Sequence, residues 1–336
     1  KRILGEEGFP GLEVAIIKNN EIVLSESLGL ANVPFSVDVK ENTIFPVCSI
    51  SKIFAATAIL QLEEQKKLTL LDPISKHIPT LPSNWNAVTI EQLLSNTSGL
   101  PDIEDPNKDE LVGGGSQDSA WVKVQEMPLQ FRPGEEFSYN ATNYLLIQKI
   151  IEEYGETSYE EFIKTNQFKV AGMEQIIFAN SFDVKENKCP TYIYYYRDET
   201  TGEYVKGANL LETNETFPTI LRADAGAFSS ANEMAKWIIA LQSEKLIKRE
   251  SINKMWAPAQ LNNGEYVGFG DALDRYALGW PVMNREKHAA LVAIGGGRAA
   301  LAIYPEDDLV VILLTNLTGL LIHEVADEIA EFYYLK

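Results

Sequence analysis

What most constrains the fold is where the strand signals fall: they lie at the two ends of the chain, with helical signals between them. Leu12 to Ile17 and Ile22 to Ser27 are short apolar runs joined at Asn19-Asn20, a hairpin signal. Tyr276 to Pro281, Ala289 to Ile294, Ala299 to Tyr304 and Leu309 to Thr315 read as successive antiparallel strands, with Pro305-Glu306-Asp307-Asp308 as a turn. Between them, helices are expected at Ile53–Gln65, from Thr89 as a cap, at Asn143–Glu153, Tyr159–Asn166, Asn232–Gln242 and Ser251–Trp256. A last helix, Leu321–Tyr334, closes the chain. The simplest architecture is one antiparallel sheet built from both chain ends and flanked by helices, an α/β (α+β) fold with a helical insertion. The expected division is 1–55 plus 220–336 for the sheet domain and 56–219 for a mainly helical domain, with the active site between them. There is no internal repeat or low-complexity segment.

A chain of 336 residues with 45% hydrophobic content can bury a large core, which excludes a disordered chain. Its formal net charge of -19, with no offsetting basic cluster, opposes nucleic acid or an anionic membrane surface as partner. The apolar stretch Leu309 to Ile322 is interrupted by Thr315, Asn316, Thr318 and Gly319, so it reads as a strand and a turn, not a membrane span. No signal peptide stands at Lys1. Cys48 and Cys189 make neither a disulfide framework nor a zinc site, and Cys48 reads as a small buried hydrophobe. His77, His288 and His323 have no second ligand at metal spacing, so no metal is expected. No Gly-x-Ser-x-Gly elbow is present.

Chemistry enters at Phe45-Pro46-Val47-Cys48-Ser49-Ile50-Ser51-Lys52. A hydroxyl attacks a carbonyl only if its proton is taken, and residues three apart share a helix face, so Lys52 can reach the Ser49 oxygen. A helix beginning at Ser49 would also aim its free N–H groups at developing negative charge. Spacing alone is weak, because Ser251-Ile252-Asn253-Lys254 repeats it at the start of an ordinary amphipathic surface helix. Ser49 differs in preceding a helix too apolar to be on the surface; the plain alternative is a helix-capping serine beside a solvated lysine.

Further boxes then carry a resemblance. Ser49-x-x-Lys52 is followed by Thr89-Ile90-Glu91-Gln92-Leu93-Leu94-Ser95-Asn96-Thr97-Ser98-Gly99-Leu100-Pro101 and by Arg132-Pro133-Gly134 leading to Phe137-Ser138-Tyr139. Ala225-Gly226-Ala227-Phe228-Ser229-Ser230, Tyr276-Ala277-Leu278-Gly279-Trp280 and Tyr304-Pro305-Glu306 through Leu314-Thr315-Asn316 complete the order. Together they resemble the class C β-lactamase and penicillin-binding-protein-like serine hydrolases over nearly the whole chain. The resemblance implies an acyl-enzyme: Ser49 as nucleophile, Lys52 orienting or deprotonating it, and Tyr139 shuttling the proton. It implies no cofactor, a small-molecule or peptide substrate, and a periplasmic or secreted location. It does not define an oligomeric state.

Two boxes depart from the pattern. Where the family has Tyr-x-Asn, this chain reads Tyr139-Asn140-Ala141, so the residue that would bind the substrate amide and the lysine is a methyl group. Asn143, a helical turn beyond Tyr139, is the candidate substitute. The basic third box aligns near Ala293-Ile294-Gly295-Gly296-Gly297, with Ala293 or Ile294, by register, in the basic position. Its glycines, Gly295 among them, suit a strand that a substrate approaches closely, and the N–H of Gly296 or Gly297 would complete an oxyanion hole with that of Ser49. Arg298 follows, either as a substitute positive charge for the substrate or as a solvent-facing strand residue. A β-lactam or acyl-D-alanine peptide carries a carboxylate near the scissile bond, and an ester needs no anchor for one. The expected activity is therefore an esterase or an atypical amide or peptide hydrolase with weak β-lactamase activity. The alternatives are a true β-lactamase or D-amino-acid peptidase, and a catalytically decayed binding module.

Overall fold

The computed structural model describes residues 8–105, 110–114, 116–198 and 204–334. Residues 106–109 and 115, within the acidic stretch Asp102 to Asp118, lie outside them. Among the described residues eight strands form the main sheet: β1 (Gly11–Lys18), β2 (Glu21–Asn32), β3 (Val37–Asp38), β4 (Arg275–Tyr276), β5 (Pro281–Met283), β6 (Ala290–Gly295), β7 (Ala299–Tyr304) and β8 (Leu309–Thr315). They are antiparallel in the order β4-β5-β6-β7-β8-β1-β2-β3. Asn19 and Asn20 take φ of +52° and +64°, the left-handed pair that a tight hairpin turn requires. The β1 strand runs against β8 from Leu12↔Thr315 to Lys18↔Leu309 and so joins the two chain ends.

At β7, β8 and β1 both faces of this sheet are covered, which is why β8 reads as an unbroken apolar run and not as an alternating one. On one face Val14, Ile16, Ala300, Ala302, Val311 and Leu313 pack under the closing helix (Ile322–Ala330). On the other, Ala15, Ile17, Ala293, Leu301, Ile312 and Leu314 belong to the larger core. That core contains helix α1 (Ser51–Glu64), buried from Ser51 to Leu62. A helix enclosed on all sides has no polar face, so its apolar residues need not keep an amphipathic period. Helix α2 (Ala141–Gly155) and helix α3 (Ala231–Gln242) pack in the same layer.

Three local expectations change. The α1 helix does not begin at Ser49; a single 3-10 turn, Cys48–Ile50, precedes it. The expected strand Tyr276–Pro281 is instead a reversal: β4 ends at Tyr276, β5 begins at Pro281, and Gly279 at φ +81° turns the chain between them. The middle of the chain also holds a hairpin, Thr191–Arg197 with Tyr204–Thr213, where the tyrosine-rich run lies. Tyr192 is buried and its hydroxyl accepts the Val33 N–H at 3.0 Å, so this part of the run is structural.

Candidate active site

The short strand Phe45–Pro46 pairs with Ala227–Ser229 and delivers the chain to Ser49. Cys48, immediately before it, takes φ +47°, a left-handed conformation costly for a residue with a side chain. Its neighbour across the cleft explains how the turn is held. Gly295, at the end of β6, lies so close that a Cβ there would stand 2.1 Å from the Val47 carbonyl oxygen. Only glycine fits that approach.

Lys52 Nζ is 3.3 Å from Ser49 Oγ, and the hydroxyl also shares a hydrogen bond with Tyr139. The Lys52 ammonium lies 4.5 Å from the Tyr139 ring centroid and 5.0 Å from that of Tyr144. Its counter-charge comes from a residue the sequence reading missed. Asp224 Oδ1 stands 2.5 Å from Lys52 Nζ, and the Asp224 carbonyl accepts from the same nitrogen at 3.3 Å. Oδ1 approaches without hydrogen-bond alignment, so the contact is an ion pair by distance. A buried ammonium needs such a partner. The signal was present in Arg222-Ala223-Asp224-Ala225-Gly226, an acid placed within a run of small residues beside a matching box. Burial, and then the Asp224 charge, hold the Tyr139 phenol well above its ordinary pKa, with the Ser49 hydrogen bond opposing in part. Tyr139 is therefore a proton donor at rest.

Asn143 does not replace the missing amide. Its Nδ2 donates to Asn96 Oδ1 at 2.9 Å and its Oδ1 accepts from Ser98 Oγ at 2.6 Å, so both ends of the side chain are committed to the 96–98 loop. Asn140 caps α2, its Oδ1 accepting from the Thr142 and Asn143 N–H groups, and its Nδ2 donates to the Leu100 carbonyl at 2.7 Å. These polar residues fasten the loop to the helix start; they leave no amide at Ala141, a buried methyl whose N–H donates to Asp102 Oδ1 at 3.1 Å.

Strand pairing resolves the third box. Ala293 opposes Leu301 and belongs to the core around α1, whereas Ile294 opposes Ala300 and faces the closing helix. Ala293 and Gly295 thus share the face toward Ser49, and neither is basic. Gly296 and Gly297, at φ +53° and +58°, form the turn into β7. The Gly295 carbonyl accepts from Arg298 N–H at 3.0 Å, that of Gly296 from Thr318 Oγ1 at 2.5 Å, and that of Gly297 from Leu320 N–H at 3.1 Å. A trans peptide sets each N–H opposite the preceding carbonyl. Tying these carbonyls back leaves the Gly296 and Gly297 N–H groups, like that of Ser49, without a hydrogen-bond partner among the described residues.

Arg298 is neither solvent-facing nor free. It is 2% exposed, and its guanidinium grips the Glu215 carboxylate with both Nη groups, one at 2.6 Å. The same guanidinium underlies the turn: a Cβ on Gly296 would meet Arg298 Nη2 at 2.8 Å and Cys48 Sγ at 3.0 Å. The Cys48 thiol, pushed up to about 11 by burial, is an inert filler there. Ser251 Oγ donates to Glu64 Oε1 at 2.6 Å and Lys254 pairs with Glu63 at 2.8 Å, so the second Ser-x-x-Lys pair joins two helices and not a cleft.

This serine-lysine-tyrosine cluster around the buried Lys52, set between a large antiparallel sheet and a helical layer, defines the β-lactamase and transpeptidase-like class of fold. The Beta-lactamase family model matches residues 1–333, and the chain belongs to that family. Penicillin-binding protein 4* of Bacillus subtilis (strain 168) is 30% identical over 300 residues, covering 88% of this chain and 64% of the relative, so the chain spans less than two thirds of that protein. Among solved structures, the octameric penicillin-binding protein homologue from Pyrococcus abyssi shares the fold with a TM-score of 0.80 at 24% identity, over 98% of this chain and 75% of the other. D-amino acid amidase from Ochrobactrum anthropi SV3 has a TM-score of 0.80 at 19% identity, over 98% and 95%. EstCE1, a hydrolase with promiscuous acyltransferase activity, has 0.75 at 18%, over 94% and 91%. Among the described residues no helix is long and apolar enough to cross a membrane.

Proposed function

We propose that this protein is a serine hydrolase that forms an acyl-enzyme at Ser49 and acts on esters or unusual amides, with weak activity on β-lactams. The observation that carries the reading is the convergence on one hydroxyl, with Lys52 Nζ at 3.3 Å from Ser49 Oγ and Tyr139 hydrogen-bonded to it. Ser49 Oγ bonds to the carbonyl carbon, and in a relay its proton takes the place on Tyr139 of the proton that the phenol gives to the leaving group, while Lys52 orients the hydroxyl and gains no proton. The N–H groups of Ser49 and of Gly296 or Gly297 receive the oxyanion. The Tyr139 phenol then protonates the leaving group as its bond to carbon breaks, and water releases the acyl group by the reverse path.

Esters are favoured over β-lactams because the cleft offers no anchor for a carboxylate. Ala293 replaces the basic residue, Arg298 is closed by Glu215, and Asn143 is held by Asn96 and Ser98. An intact serine, lysine and tyrosine speak against a decayed binding module. The periplasmic or secreted location belongs to the same proposal and rests on the family.

Intact-protein mass spectrometry after parallel exposure to a fluorophosphonate, a penicillin and a nitrophenyl ester tests it. The phosphonate and the ester should load Ser49 quickly and the penicillin slowly. Short-chain esters should exceed penicillins in kcat/KM by at least about a hundredfold, roughly 2.7 kcal/mol. Cephalosporin turnover as fast as ester turnover would refute the ester preference.

A further inference from the structure

Tyr139 hands its proton to the leaving group, so the surroundings of that phenol bear on which group departs. Lys52 Nζ lies over its ring, 4.5 Å from the centroid, and Ser49 shares a hydrogen bond with its hydroxyl. Two further rings flank it, Phe269 at 5.2 Å and Tyr276 at 6.3 Å between centroids. Phe137 completes the set, 5.6 Å from Phe269 and 5.3 Å from Tyr276. Tyr276 is buried and Phe137 half-buried, but Phe269 is 44% exposed. An aromatic wall thus runs from the catalytic phenol to an open ring.

The segment that carries Phe269 is fastened at its base, along its side and at its tip. The Ala259 N–H donates to the Tyr276 carbonyl at 2.9 Å and closes the base. Asn262 ties the side to the chain just before Tyr139, its N–H donating to the Gly134 carbonyl at 2.8 Å and its Nδ2 to the Pro133 carbonyl at 3.0 Å. At the tip the Phe269 N–H donates to the Leu273 carbonyl at 2.9 Å, across a turn in which Asp271 takes φ +45°. A residue with a side chain held left-handed is a cost that the fold bears to keep this turn. A large apolar ring presented to solvent on so fixed a mount, in contact with the acid of the reaction, is a surface for an apolar part of the substrate.

We propose that Phe269, on the wall it shares with Phe137 and Tyr276, is the leaving-group subsite, and that the preferred substrates are esters of arylmethyl alcohols such as benzyl alcohol. The bond from the acyl carbon to the benzyl oxygen breaks as Ser49 Oγ takes its place on that carbon. The departing oxygen receives the Tyr139 proton, the Ser49 proton replaces it on the phenol, and the aromatic ring of the alcohol rests on Phe269. This inference names a substrate class for the acyl-enzyme reading of Ser49 and rests on that reading.

Three neutral esters test it: ethyl propanoate, benzyl propanoate with the ring on the alcohol, and ethyl 3-phenylpropanoate with the ring on the acyl side. The first two form the same propanoyl-enzyme, so their kcat/KM values differ only in binding and acylation. After subtracting the Ser49→Ala blank, benzyl propanoate should exceed ethyl propanoate in kcat/KM at least about tenfold, as a buried aromatic contact warrants. Phe269→Ala should reduce that ratio at least about fivefold, and Phe269→Tyr, which keeps the ring, should retain most of it. Comparing ratios between variants cancels both the intrinsic reactivity of the benzyl ester and any loss of folded protein. A ratio near one in the wild type, or an unchanged ratio in Phe269→Ala, overturns the inference. A loss in Phe269→Ala that falls instead on ethyl 3-phenylpropanoate also overturns it, by putting the ring on the acyl side. In each of these cases turnover of ethyl propanoate and phosphonate labelling at Ser49 leave the acyl-enzyme reading standing, whereas absence of both would overturn that reading and this one together.

Discussion

Lys52 Nζ lies 2.5 Å from Asp224 Oδ1, a buried contact that joins two positions 172 residues apart in the chain. The Asp224 carboxylate supplies the buried Lys52 side chain with a partner of opposite charge. Removing that partner strands a buried charge. We expect Asp224→Ala to lower unfolding free energy by about 3–5 kcal/mol, and the double variant Lys52→Met with Asp224→Leu to recover much of the loss. Urea denaturation of Asp224→Ala, Lys52→Met and the double variant checks this. A loss in the double variant equal to the sum of the two single losses would show that the pair is not coupled.

Arg298 should behave as a support for the oxyanion turn and not as an anchor for substrate. Arg298→Ala is expected to lower kcat for a neutral ester about tenfold to a hundredfold with little change in KM, since the turn's N–H groups act on developing charge. Arg298→Lys keeps the charge but loses the two-pronged grip on Glu215, so it should recover only part of the rate. A rise in KM confined to carboxylate-bearing substrates would instead make Arg298 a substrate contact.

Covalent labelling separates the two Ser-x-x-Lys pairs. A fluorophosphonate should modify Ser49, and Ser49→Ala should abolish acyl transfer, while peptide mapping finds Ser251 unmodified because it is held by Glu64. Labelling at Ser251, or full activity in Ser49→Ala, would end the mechanism.

Glu13 makes folding stability depend on pH. It is buried in β1, accepts the Ala231 N–H at 2.7 Å at the start of α3, and burial raises its carboxyl from 4.5 to about 8, with Glu41 adding to the rise and the Ala231 and Ser27 hydrogen bonds opposing it. Between those values the folded chain keeps a proton that the unfolded chain releases, so stability falls as pH rises through that window. The loss is on the order of a few kcal/mol and is complete above about pH 8. Thermal unfolding between pH 5 and 8.5 should show a smaller drop in Glu13→Gln than in the wild type; parallel curves would assign the slope to other groups.

Local patterns in the sequence were reliable guides to structure. The β7 and β8 strands have the expected limits, Asn19-Asn20 turns the first hairpin, and Thr89 and Gln92 form the reciprocal cap of the helix Ile90–Leu94. Each is decided within a few residues, by periodicity or by a side chain bonding its own backbone. The Ser49 and Lys52 contact is of the same kind. Asp224 lay beside a matching box, but neither it nor Glu215 could be assigned its partner, because nothing near Lys52 or Arg298 in the chain names one 172 or 83 residues away. Asn143 misled for the opposite reason: helical spacing put it near Tyr139, but the 96–98 loop competes for its amide. The register of Ala293 needed the opposing strand.

The seam between β1 and β8 bears on how the chain is made. Leu12 pairs with Thr315, and the β1 strand is interior to the sheet, so during synthesis it waits for nearly the whole chain before its second partner emerges. Closing that seam is a late and entropically slow event in which an apolar strand stands with one edge open. On a ribosome the hairpin of β1 and β2 is then an early half-product, and the segment carrying Ser49 reaches Gly295 only once β6 has been translated.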